Sequence, residues 1–126
     1  MKEAINSEKA PQPIGTYSQA VKSGNMIFVS GQLPIYSATG KMCEGPMEEC
    51  ARLALINLQQ ILGEAGGSMN NIVKLTIFLK DITRFERVNA ACSEFFTTPF
   101  PSRSVVEVCN LPAEANIAID AIAVIE

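Results

Sequence analysis

Apolar positions recur with two different periods along this chain, and the switches between periods mark its elements. Tyr17–Lys22 and Met26–Ser30 read as two short strands, joined by Ser23-Gly24-Asn25, a glycine-containing hairpin loop. Gly31 closes the second strand, and Pro34–Gly45 reads as a loop. Pro46 fits a first helical position, and Glu48 and Glu49 favour the positive start of a helix. Met47, Cys50, Ala51, Ala54, Leu58, Ile61, Leu62 and Ala65 then follow helical spacing, and Gly66-Gly67 is a stop. The pattern predicts a helix from Pro46 to Ala65. Ile72–Lys80, rich in β-branched and apolar residues, reads as a third strand. Thr83-x-x-Glu86 has the form of a capping box and opens a second helix. Phe85, Val88, Cys92, Phe95 and Phe96 share one face of it, and Thr97-Thr98-Pro99-Phe100-Pro101 ends it. Two strands follow, Arg103–Val108 and Ile117–Ile125, joined by Asn110-Leu111-Pro112-Ala113-Glu114.

The order β-β-α-β-α-β-β over residues 1–126 predicts a single α+β domain, with a mixed sheet and two helices packed on one face. The last strand is apolar on both alternating faces. Burial of the second sheet face in an oligomer resolves that excess.

Two charges interrupt these runs. Arg103 opens Arg103-Ser104-Val105-Val106, and Asp120 sits inside Ile117-Ala118-Ile119-Asp120-Ala121-Ile122. A carboxylate in a buried strand is costly unless something pairs with it or uses it. A fixed guanidinium and a buried acid point to a site for a small carboxylate substrate, with the acid moving protons.

Composition narrows the chemistry. The chain has no His, which removes the commonest metal ligand and general base. Cys43, Cys50, Cys92 and Cys109 form no Cys-x-x-Cys pair, which argues against zinc and reads as buried free thiols in a reducing compartment. Net charge is -3, and the ten Lys and Arg are dispersed, which argues against a nucleic-acid partner. No apolar run is long enough to span a bilayer, and the first residues lack an apolar signal core. The expectation is a cytoplasmic protein without a membrane partner.

Pro13-Ile14-Gly15-x-Tyr17-Ser18-Gln19-Ala20 and Asn25-Met26-Ile27-Phe28-Val29-Ser30-Gly31-Gln32 resemble N-terminal motifs of the RidA (YjgF) family. Phe100-Pro101-Ser102-Arg103-Ser104-Val105-Val106-Glu107-Val108 with Leu111-Pro112 is similar to its C-terminal signature, and Asn89-x-x-Cys92-x-x-Phe95-Phe96 fits its second helix. The resemblance covers nearly the whole chain. It implies a chorismate-mutase-like fold and a homotrimer with clefts between subunits. It also implies hydrolysis of reactive enamines and imines, such as 2-aminoacrylate, to 2-keto acids and ammonia, as in 2-iminobutanoate/2-iminopropanoate deaminases. No metal or organic cofactor is implied.

Carried over residue by residue, Arg103 matches the family's arginine for the substrate carboxylate; from residues alone it reads sooner as an ion-pair partner for Glu107 or Asp120. Asp120 falls where the family has an active-site Glu, one methylene longer, and reads otherwise as a structural acid. Tyr17 matches a cleft-lining tyrosine or is a packed core tyrosine. Ser30 either bonds the substrate carboxylate or closes its own turn. Asn89 either reaches the site or bonds a neighbouring loop, and Gly31 permits close backbone approach. Val105 stands where many deaminases have Cys, and Ala118 replaces an acid common in the signature. Two other readings remain: a non-catalytic trimer binding 2-keto acids as sensor or carrier, and, with less support from the charge pattern, the translation-inhibitor or endoribonuclease activity attached to family names.

Overall fold

The computed structural model describes residues 1–126. Eight elements follow in the order β1 (Lys2–Ile5), β2 (Ala20–Ser23), β3 (Met26–Gln32), α1 (Met47–Glu64), β4 (Ile72–Leu79), α2 (Phe85–Cys92), β5 (Ser102–Glu107) and β6 (Ile117–Val124). The strands form one six-stranded sheet in the order β1-β2-β3-β6-β4-β5. All neighbours are antiparallel except β4 and β5, whose parallel pairing uses α2 as the crossover. This is the predicted mixed α+β sheet with two helices, and it carries one additional strand. No helix is long and apolar enough to cross a membrane.

The additional strand is β1. Its four residues bury only Ile5, so no apolar period marks it, and its ladder with β2 holds it in place. β2 begins at Ala20 rather than Tyr17. Gly15 bends the chain with φ 137°, and the buried Gln19 side chain accepts from Ser7 N and donates to the carbonyls of Ser7 and Pro11. Residues 15–19 are therefore a strap, tied mainly by side-chain bonds and by one backbone bond from Ser30 N to Gln19 O at 2.9 Å, with no strand ladder. β3 continues past Ser30 because a bulge absorbs the irregularity. Val29 pairs with Ala121 and Gln32 with Ile119, so Ser30 and Gly31 together stand opposite Asp120.

α1 agrees with the periodicity, except that Pro46 caps it from an extended conformation with ψ 158°. α2 departs further. Asp81, not Thr83, is the capping residue of the turn that leads into it. The Asp81 carboxylate accepts from Thr83 N at 3.0 Å and from the Thr83 hydroxyl at 2.6 Å, and Thr83 and Glu86 form no reciprocal box. α2 also stops at Cys92, so Phe95 and Phe96 pack from the turn that follows it. Of the four cysteines, Cys109 is exposed, against the expectation that all are buried.

α1 faces β3 and β6, and α2 packs on α1. Leu55, Leu58, Ile61 and Leu62 of α1 meet the inner residues of the strands, among them Ile77, Ile117 and Ile119, in one core of 29 buried residues. Each of these fully buried side chains contributes about 1.5–3 kcal/mol of transfer free energy. The alternate strand residues face away from the helices. Phe28 pairs with Ile122 and Met26 with Val124 on that outer face, and Phe78 lies beside Val106 and Ala118. Phe28 remains 40% exposed there.

Candidate active site

β5 is one of the two edge strands of the sheet, and Arg103 stands beside Leu75 on its helix-bearing side. Arg103 Nη1 donates to Asn89 Oδ1 at 2.6 Å. The guanidinium carbon lies 5.2 Å from the centroid of the Phe85 ring, within cation–π range. Phe85 and Asn89 are four residues apart, so one face of α2 presents both. Arg103 forms no ion pair: Glu107 accepts instead from Ile82 N, and Asp120 lies on the outer sheet face beside Thr76. The ion-pair reading of Arg103 is therefore not what the chain adopts, and Asn89 bonds the arginine rather than a loop.

Arg103 and Asn89 line a cavity of about 480 Å³ whose other walls include Leu75, Cys92, Phe96 and Phe100. Burial pushes the Cys92 thiol up, while the Arg103 charge pulls it the other way. Val105 points to the same side of β5 but packs, half-buried, against the core and lines neither this cavity nor the next.

Tyr17, Ser30 and Gly31 come together elsewhere. They line a cavity of about 740 Å³ with Phe78, Leu111 and Ala118. Tyr17 is 54% exposed, so within this chain it is not a packed core residue. Its hydroxyl oxygen accepts only a long 3.4 Å bond from Ile14 N. The Ser30 hydroxyl donates to Ser18 O at 2.7 Å and closes the strap, which leaves its oxygen as an acceptor only. A Cβ on Gly31 would meet nothing within 4 Å, so its bare backbone borders open space. The two cavities share no lining residue. One copy of the chain does not bring Arg103 and Asn89 to Tyr17, Ser30 and Gly31.

Asp120 borders the second cavity without lining it. The bulge sets it opposite Ser30 and Gly31, and Thr76 is its neighbour on β4. Burial pushes its carboxyl above the ordinary Asp range, although the Thr76 hydroxyl and the Lys74 charge favour the anion. The residue of β6 that does line the cavity is Ala118, two positions earlier on the same face. Phe85 is the residue that sequence reasoning assigned only to a core stripe. Its i,i+4 spacing to Asn89 was the available signal.

A mixed sheet under two helices, with an uncommitted arginine on an edge strand and a tyrosine-lined cavity at the β3 bulge, defines an α+β domain of RidA type. The chain belongs to the RidA (YjgF) family, whose pattern, described as Endoribonuclease L-PSP, it matches over residues 7–125. It is 48% identical to a RutC family protein of Pyrococcus abyssi, over 97% of this chain and 96% of that one. It is 41% identical to a 2-iminobutanoate/2-iminopropanoate deaminase of Dermatophagoides farinae, over 99% and 98% of the two chains. Among solved structures, Escherichia coli TdcF with bound serine matches with a TM-score of 0.93 and 38% identity, over 98% of this chain and 99% of that one.

Proposed function

We propose that this protein hydrolyses small reactive 2-enamino and 2-imino acids to 2-keto acids and ammonia, in sites shared between copies of a homotrimer. The observation that carries the reading is Arg103: a guanidinium with no carboxylate partner, braced by Asn89 and Phe85, facing an open cavity at a sheet edge. Its remaining N–H groups are a planar fork that fits a carboxylate. The name of the mite relative and the serine held by TdcF support a ligand derived from an amino acid.

In this mechanism the substrate carboxylate binds Arg103 of one copy, and its C=N carbon faces the Tyr17 cavity of the next. Water adds to that carbon and gives a carbinolamine. The nitrogen takes up a proton and leaves as ammonia as the C=O forms. Asp120, half-buried and with its carboxyl raised above the ordinary Asp range by burial, exchanges the proton, and the Tyr17 hydroxyl orients the water. The apolar outer face of the sheet, with Phe28, Ile122 and Val124, is what the trimer covers.

One observation favours a second reading. The Tyr17 cavity has no carboxylate in its lining, because β6 presents Ala118 there. A trimer that binds 2-keto acids without turning them over would need only the Arg103 half.

Coupled ammonia and pyruvate release from freshly generated 2-aminoacrylate separates the two. The deaminase reading expects acceleration over the spontaneous reaction, lost by on the order of 100-fold in Arg103→Ala. Pyruvate binding with no acceleration would establish the second reading instead.

A further inference from the structure

Cys43 and Cys50 lie outside both cavities, yet their thiols are in direct contact. Cys50 Sγ is 2.6 Å from Cys43 Sγ, roughly half an ångström beyond a disulfide bond of about 2.05 Å. The chain between them wraps the pair, with the carbonyls of Cys43 and Gly45 at 3.6 and 3.5 Å from Cys50 Sγ. Both side chains are buried, Cys50 fully and Cys43 at 5% exposure. We infer that Cys43 and Cys50 are a site of reversible disulfide formation, which fastens one wall of the Tyr17 cavity to α1.

The link to the cavity is direct. Cys43 N donates to Pro34 O at 2.7 Å, and Ile35 bridges to Met42, so Cys43 is the return arm of a small hairpin. Leu33 and Ile35 of its outgoing arm line the Tyr17 cavity. Asn57 of α1 already donates to the carbonyls of Leu33 and Ile35 at 3.1 and 2.9 Å. A Cys43–Cys50 bond adds a covalent tie from the same hairpin to the first turn of the same helix.

A hydroperoxide serves as the oxidant. The Cys43 sulfur attacks a peroxide oxygen, the O–O bond breaks, and water (or an alcohol) leaves, which gives a sulfenic acid. The Cys50 sulfur then attacks the Cys43 sulfur, the S–O bond breaks, and hydroxide leaves with the Cys50 proton as water. Two thiols lose two electrons and two protons, and one peroxide is reduced. Cys43 acts first because it retains some exposure, whereas burial pushes the Cys50 thiol up to about 12 and keeps it protonated.

The test uses the full chain carrying Cys109→Ser, which removes the exposed thiol, treated with one equivalent of hydrogen peroxide. The expected result is loss of two of the remaining thiols, a mass lower by about 2 Da, a peptide joining Cys43 to Cys50, and reversal by dithiothreitol. Tm should rise by about 5 °C in the oxidised form. In Cys50→Ser the sulfenic acid has no partner, and with one equivalent of peroxide Cys43 should instead gain about 16 Da as a sulfenic acid, trapped by dimedone. Retention of all thiols, or a crosslink that involves Cys92, would overturn the assignment.

Discussion

Arg103 is held on two sides by a single turn of helix. Asn89 takes one of its N–H groups and Phe85 lies against its plane. Asn89→Ala should therefore lower kcat/KM by about tenfold, and Phe85→Leu by a few-fold, while both proteins stay folded; steady-state kinetics with circular dichroism checks this. Asp120 carries a prediction of the opposite kind. Its carboxyl is raised by burial, so between the ordinary Asp value of about 3.9 and the raised one the folded state binds more protons than the unfolded state. That penalty grows as pH rises through the window. Asp120→Asn should thus raise Tm relative to the parent at neutral pH, with the gap closing on acidification, and should lose turnover. Thermal melts from pH 4 to 8 read the first effect. At this scale the sequence was informative where a residue broke its pattern: Arg103 and Asp120 stand out as charges in apolar strands. Phe85 was hidden because a ring against a guanidinium has the same spacing as a ring in the core. Ala118 and Asp120 share a face by strand alternation, and only the bulge at Ser30-Gly31 decides which of them meets the cavity.

Among the elements, α1 follows from its apolar period because its stripe is long and Gly66-Gly67 stops it. Leu58, at 0% exposure in the centre of that stripe, should cost about 2–5 kcal/mol as Leu58→Ala, measured by urea unfolding. β1 was not legible, since a strand that buries one side chain is specified by its partner's edge and not by its own sequence. α2 starts one residue later than a Thr83 cap would place it, because a short turn capped by Asp81 precedes it: Asp81 and Thr83 both carry capping oxygens, and the structure uses the carboxylate. Bonds from Thr83 hold the Asp81 carboxyl below its ordinary range, so its contribution is present above the unfolded value and lost as pH falls. Asp81→Ala should loosen the turn that aims Phe85 and Asn89. It should therefore lower affinity for the substrate carboxylate more than it lowers Tm, and pyruvate titration beside a thermal melt reports both.

The molecule as a whole presents an apolar outer sheet face and two cavities that share no residue. The proposed trimer would cover the first and join the second. Phe28, 40% exposed in the middle of that face, should tolerate replacement in an isolated chain but not in a trimer. Phe28→Asp should sediment as a monomer and lose deaminase activity. The excess of apolar residues on the last strand is what the sequence offered toward an oligomer, and in the single chain the outer face that carries Phe28 stays partly exposed. The separation of Arg103 from Tyr17 did not follow from that excess, because it depends on where the strap, the bulge and the edge strand place their side chains.

Mixed oligomers test the shared site most directly. Arg103→Ala removes one half. Gly31→Leu fills the other, at a position where an added side chain meets only open space. Each variant alone should be inactive with freshly generated 2-aminoacrylate. Refolded together in equal amounts, they should recover about a quarter of the parent rate of ammonia release, since in a ring of head-to-tail contacts one interface in four pairs an intact Arg103 with an intact Tyr17 cavity. Mixed trimers as inactive as their parents, in a preparation where the parent enzyme turns over, would contradict a site built between copies.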